Sequence, residues 1–236
     1  MSLRRDFWRR AKWPAGLALA LSALLLSSCD RKAAPGAPGP PGEWVTLKGR
    51  RLEPHKSNDG DSFHVRHKGD EFIFRLYFVD CPETDTSVPT RNAEQRSYFA
   101  VTAKELQKAA GEAEAFTAEA LKKPFTVTTR SQDAMGRSTR YYAVVTVDGK
   151  DLAEMLLARG LGRAKGALAN LPDGESAKAR MKHFKHLESE AKAKRIGIWA
   201  DSGRAEKWHE RLIQRAKASW RKLKTAVGEF WEKHGF

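Results

Sequence analysis

The sequence predicts an α+β domain, and three observations carry that reading. Short alternating apolar runs bounded by turn residues fill 44–80, two more lie at 125–130 and 140–147, and longer segments of helical period stand between and after them. Strands are expected at 44–49, 61–67, 71–79, 125–130 and 140–147, and helices at about 93–122, 151–159 and 175–194. In the third strand Phe72, Phe74, Leu76 and Phe78 share one face, so that face is the core and Arg75 lies on the other. His67-Lys68-Gly69-Asp70 reads as the hairpin joining the second and third strands. Pro124 is expected to end the first helix, Asp151 to cap the second and Gly160 to stop it. In the third helix Ala177, Met181, Phe184, Leu187 and Ala191 form a stripe that reads as core, while His183 and His186 read as a solvated face. From Arg204 onward Trp208, Leu212, Ala216, Trp220, Leu223, Val227 and Phe230 recur at helical spacing opposite a basic face, predicting a C-terminal amphipathic helix. Packing back on the domain, resting on an anionic membrane and gripping nucleic acid all fit that helix.

At 236 residues and 41% hydrophobic content the chain can bury one sizeable domain but not two. Its net charge of +14 suits a polyanion or an anionic membrane. The first residues have the form of an export segment: Arg4, Arg5, Arg9, Arg10 and Lys12 precede an apolar run, Gly16 to Leu26, too short to span a bilayer. Leu26-Ser27-Ser28-Cys29 resembles the lipobox of bacterial lipoproteins, which implies a lipidated Cys29, and Arg4-Arg5-Asp6-Phe7 resembles a twin-arginine motif. Removing 1–28 takes away five basic residues and one acid, so the remainder stays strongly basic. The expected organisation is a signal segment at 1–28, a Pro/Gly-rich tether at 29–43, a domain at 44–201 and a helical tail at 202–236. The expected location is a bacterial membrane, on its non-cytoplasmic side. With Cys29 lipidated, Cys81 has no disulfide partner.

Strand parity also suggests a site. Asp61 shares a face with Phe63 and Val65 at the start of its strand, and Asp80 shares parity with the Phe row at the end of the next. Antiparallel pairing brings those ends together at the rim of the core. Two acids there repel unless a cation compensates, and a hard divalent ion such as Ca²⁺ can take oxygens from both carboxylates, a backbone carbonyl and water. Pro82 helps aim the Cys81 carbonyl inward. Two solvated turn acids are the competing reading, since Asp-Gly-Asp is a common turn.

Three motifs in order, Asn58 to Val65, Phe74 to Thr84 and Asp133 to Lys150, together resemble the staphylococcal nuclease (thermonuclease) family. The likeness runs from about Trp44 to Trp199 and includes Gly111 to Thr117, Ala158 to Gly162 and Arg195 to Trp199. It implies a five-stranded OB-fold barrel with three helices and a Ca²⁺-dependent phosphodiesterase that cuts DNA and RNA, preferably single-stranded or frayed, to leave 3′-phosphates. A monomer without an obligate protein partner is expected. By the same resemblance Asp61 and Asp80 are metal carboxylates, the Cys81 carbonyl is a third ligand, and Asp59 is a nearby acid that does not bind the metal. Glu83 corresponds to the general base, and Arg75 and Arg137 to phosphate-clamping arginines. Some features depart from the family. Cys81 replaces a Thr, Ala134 and Met135 stand where a nucleotide-contacting Lys and Tyr are usual, and Gly166 replaces a stacking Tyr. Arg140, Arg163 and Lys165 offer electrostatic compensation toward substrate, and the segment 85–106 is longer than the family loop. The alternative function is a non-catalytic nucleic-acid-binding module of the same fold.

Overall fold

The computed structural model describes residues 36–135, 138–203 and 213–225. A turn at 36–43 leads into Val45–Arg50 (β1) and the short Leu52–Glu53 (β2), followed by Ser62–His67 (β3) and Asp70–Leu76 (β4). Lys68 and Gly69, both at positive φ, make the two-residue turn that matches strand twist, and His67 pairs with Asp70 across it. Two long strands, Phe125–Asp133 (β6) and Arg140–Val147 (β7), complete a curled sheet of order β1-β6-β7-β4-β3-β2, with Lys150–Asp151 (β8) paired to β7. Among the described residues all pairs are antiparallel except β4 with β7. This is the OB-fold α+β class expected.

The strand expected over 71–79 is broken. The backbone N–H groups of Leu76, Tyr77 and Phe78 go to Asp61, Ala143 and Ala167 in turn, so the chain leaves the β3 ladder. Phe78 takes the left-handed conformation, and Val79–Asp80 (β5) then pairs with Arg163–Ala164 (β9) in a separate two-stranded sheet. Parity does not run through such a bend, so Asp80 reaches the rim by the bend and not by alternation.

The helix expected over 93–122 is two: Pro89–Phe99 (α1) and Ala103–Ala120 (α2). Ala100 turns left-handed, and Thr102 opens α2 with a capping box in which its side chain accepts from the Glu105 N–H while Glu105 accepts from the Thr102 N–H. The second helix ends before Pro124, at Ala120. The others follow the reading, with Leu152–Ala158 (α3) capped by Asp151, and Ala177–Ala193 (α4) capped by Ser176. Gly160, at positive φ, follows the end of α3.

Phe63, Phe74, Phe78 and Phe125 fill the core against Leu156, Leu157 and Phe184, and each such side chain contributes about 1.5–3 kcal/mol on burial. A second cluster of Phe99, Val101, Leu106 and Ile198 around Trp199 anchors the α1–α2 junction, with the Phe99 and Trp199 rings 5.0 Å apart. Residues 213–225 are helical, and there Trp220 is 60% exposed and Leu223 54%.

Candidate active site

The loop entering β3 is built from its own side chains. Asp59 Oδ1 accepts the N–H groups of Asp61 at 3.0 Å and Ser62 at 2.6 Å, which turns Asp61 inward. Gly60 is required between them, because a Cβ there would stand 2.8 Å from the Ala113 Cβ and 2.9 Å from the Cys81 Sγ. The hydroxyl of Thr117 on α2 donates to the Gly60 carbonyl at 2.8 Å and holds the loop down.

Across the hairpin Ser62 pairs with Arg75, which sets the Arg75 guanidinium beside the loop. One of its nitrogens donates to Asp61 Oδ2 at 3.1 Å and to Asp80 Oδ1 at 3.0 Å. The two carboxylates therefore meet as expected, and the cation between them is Arg75. The Cys81 N–H also donates to Asp61 Oδ2, at 2.8 Å. Burial pushes the Cys81 thiol well above its usual range, so the Cys that replaces Thr is an inert packing group.

Helix α1, the long segment after Glu83, supplies what the sequence reading missed. Arg91, Glu94, Gln95 and Tyr98 recur at spacings of three and four and face the site together. Arg91 donates to Asp80 Oδ1 at 2.5 Å and, through Nε, to Glu83. The Gln95 side chain is fully buried: its Oε1 accepts the Glu83 N–H at 2.9 Å while its Nε2 donates to the Cys81 carbonyl at 2.8 Å and to Asp80 Oδ2 at 3.3 Å. Because only an oxygen can accept the Glu83 N–H, the amide orientation is determined. Gln107 on α2 adds a donation to the Glu83 carbonyl at 3.1 Å.

Arg163 requires a correction. Expected as a substrate contact, it is 0% exposed. Its Nε donates to Asp80 Oδ2 at 2.8 Å, its two terminal nitrogens bind Glu94, and its guanidinium lies 4.7 Å from the Tyr98 ring centroid. It is an internal counter-ion of Asp80. Lys165 is half-exposed and bonded to Glu94 at 3.0 Å, and Arg140 donates to the Met135 carbonyl at 3.2 Å. Met135 itself is 77% exposed, on a loop whose next residues, Gly136 and the expected clamp Arg137, lie outside the described residues. Gly166 has φ +128, and a Cβ there would stand 3.2 Å from the Val79 carbonyl oxygen, so the usual Tyr would be strained in this backbone.

The electrostatics divide the site. Burial raises the Asp59 carboxyl well above the usual range, with the charges of Asp61 and Glu83 adding to it. Burial also raises Asp61, although Arg75 opposes it. Burial alone would raise Asp80 too, but Arg91, Arg163 and Arg75 outweigh it and hold Asp80 below the usual range. The Arg75 guanidinium is held charged chiefly by Asp61.

Among the described residues no three His, Cys, Asp or Glu side chains converge to hold a metal ion, so a cation site here has two carboxylates and draws its further oxygens from the backbone and solvent. The donor set fits a hard cation on that basis. Arg75 links Asp61 Oδ2 to Asp80 Oδ1, and Gln95 links Asp80 Oδ2 to the Cys81 carbonyl, so the two carboxylates and the carbonyl are neighbours joined through the two oxygens of Asp80. Asp61 Oδ1 has one long contact, 3.3 Å from the Ser62 hydroxyl.

The family described as "Staphylococcal nuclease homologue" matches residues 73–201, from within β4 to just past the turn of 3₁₀ helix at Gly197–Ala200. That span contains Arg75, Asp80, Cys81 and Glu83, together with α1 and Arg163. Covering more than half of the 236 residues, the match shows that this chain belongs to the staphylococcal nuclease family and that its function is of the nuclease type.

Proposed function

We propose that the protein is a Ca²⁺-dependent nuclease that hydrolyses phosphodiester bonds of DNA and RNA and leaves 3′-phosphates. The observation that carries this reading is the meeting of Asp61 and Asp80 on Arg75, with Gln95 joining Asp80 to the Cys81 carbonyl and Arg91 joining Asp80 to Glu83. Asp61, Asp80 and the Cys81 carbonyl would hold the ion, which when bound supplies positive charge to a phosphoryl oxygen and to a nearby water. Arg75 stabilises negative charge on the equatorial phosphoryl oxygens through its planar fork of donors. Glu83 takes the proton from the attacking water as the new P–O bond forms. The bond to the 5′ oxygen breaks, and that oxygen takes a proton from solvent. Gln95 keeps the Glu83 backbone and the Cys81 carbonyl in register for these roles.

A non-catalytic binding module is not favoured, because Asp61, Asp80, Glu83 and Arg75 are all retained. Mapping the ends left by the full chain on labelled single-stranded DNA, plasmid and RNA tests the reading. We expect 3′-phosphate and 5′-hydroxyl ends on both nucleic acids, whereas 5′-phosphate ends, or binding without cleavage, would overturn it.

The same proposal includes the place of action. Lipid on Cys29, the tether at 29–43 and the basic domain together support a protein fixed to the non-cytoplasmic side of a bacterial membrane, with its site free to meet long polymers. Cys29→Ser should release a competent nuclease from the detergent phase. Mature wild-type protein beginning at another residue without lipid would contradict it.

A further inference from the structure

Asp80 is saturated. Its two oxygens accept from Arg75, Arg91, Arg163 and Gln95, and a carboxylate has only about four lone-pair positions. A cation that takes Asp80 as a ligand must displace one of these donors, and burial decides which. Arg163 is 0% exposed and clamped by Glu94. Gln95 is buried and pinned by the Glu83 N–H. Arg75 has a side chain only 12% exposed, lies on a strand paired on both sides, and is also held by Asp61 and Ser62. Arg91 has a side chain 33% exposed and sits on the outer helix α1, with open solvent to turn into.

We infer that Arg91 is a displaceable resident counter-ion that competes with the divalent cation for Asp80, so that loading the metal expels the Arg91 guanidinium. The inference rests on the calcium reading above. Since the same guanidinium also holds Glu83, one displacement opens Asp80 to the ion and releases the Glu83 carboxylate for the attacking water. The freed guanidinium stays at the rim of the site on α1, where a phosphodiester offers it a partner in place of the two carboxylates. Without metal, Arg91 neutralises two acids that would otherwise repel.

Calorimetric titration of Ca²⁺ into the full chain without nucleic acid tests this apart from catalysis. Arg91→Ala removes the competitor's charge-assisted bonds, so it should bind Ca²⁺ about 10-fold to 100-fold more tightly than the wild type. Arg91→Lys keeps the charge but cannot span Asp80 and Glu83 with one planar fork, so it should fall between the two. Thermal melts check that each variant is folded, and if Arg91→Ala is not, Arg91→Lys alone decides the matter. Equal or weaker binding by the folded variants overturns the inference while leaving the calcium reading in place. Absence of Ca²⁺ binding in every form overturns both.

Discussion

Asp61 and Asp80 are the same residue type, both buried and both touching one nitrogen of Arg75, yet their surroundings push them in opposite directions. The loop that carries Asp61 adds Asp59 beside it, and burial with acidic neighbours lifts both carboxyls. The bend that carries Asp80 receives Arg91 from α1 and Arg163 from β9 as well as Arg75, and its carboxyl is lowered despite burial. One half of the site is short of positive charge and the other is neutralised by the protein itself. Position in a strand did not create the difference; the side chains delivered by more distant elements did.

That contrast predicts unequal mutants. Asp61→Ala and Asp80→Ala should both abolish cleavage, since each removes a carboxylate from the proposed ion. Only Asp80→Ala also leaves a fully buried donor, the Arg163 Nε, without its acceptor while Glu94 keeps the terminal nitrogens, a loss of about 1–3 kcal/mol. Melting curves beside cleavage assays check this: a large fall in Tm for Asp80→Ala and a much smaller one for Asp61→Ala. Equal falls would break the comparison.

A second test separates the arginines. Arg75→Lys keeps the charge but loses the fork, so turnover should drop by orders of magnitude with a milder effect on substrate affinity, and Glu83→Gln should behave alike. Arg163→Met should instead act mainly on stability, because its guanidinium never reaches solvent. Measured kcat, KM and Tm for the three variants sort these roles, and normal turnover in Arg75→Lys and Glu83→Gln together would favour the binding module.

The smallest expected effect concerns Glu94. Hydrogen bonding from Arg163 and Lys165 lowers its carboxyl from the ordinary 4.5 to about 2. A depressed folded-state value stabilises the fold above the unfolded value and loses that contribution as pH falls toward the folded one. The Glu94 side chain is 47% exposed, so solvent screening keeps the contribution below about 1 kcal/mol. Glu94→Gln should lower Tm slightly at pH 7, with the difference shrinking below about pH 4.5 and vanishing only as pH falls to about 2.

Much of the frame was legible because it depends on local chemistry. The Lys68-Gly69 turn, the Phe row of β4 and the Asp151 cap follow from residue type and spacing, and the structure has all three. The meeting of Asp61 and Asp80 was also legible, though the continuous strand invoked for it does not exist. Nothing in the type of Phe78 announces a left-handed residue, because its bend is imposed by hydrogen bonds to Ala143 and Ala167 made by its neighbour and itself. The break between α1 and α2 did leave a signal, the Thr102–Glu105 capping pair, which a single long helix passes over. Arg91 and Gln95 were illegible as site residues for a tertiary reason, and Arg163 was named for substrate and not as the counter-ion of Asp80. Polar residues at helical spacing describe a solvated face equally well until a neighbouring carboxylate is brought against them.

The most direct measurement of the central claim is cleavage of labelled single-stranded DNA by the full chain across a Ca²⁺ titration, with Asp61→Ala run beside it and EGTA as the zero point. The account requires saturable, Ca²⁺-dependent cleavage by the wild type and none by the variant at any Ca²⁺ concentration. Undiminished cleavage in EGTA, or by Asp61→Ala, would contradict it.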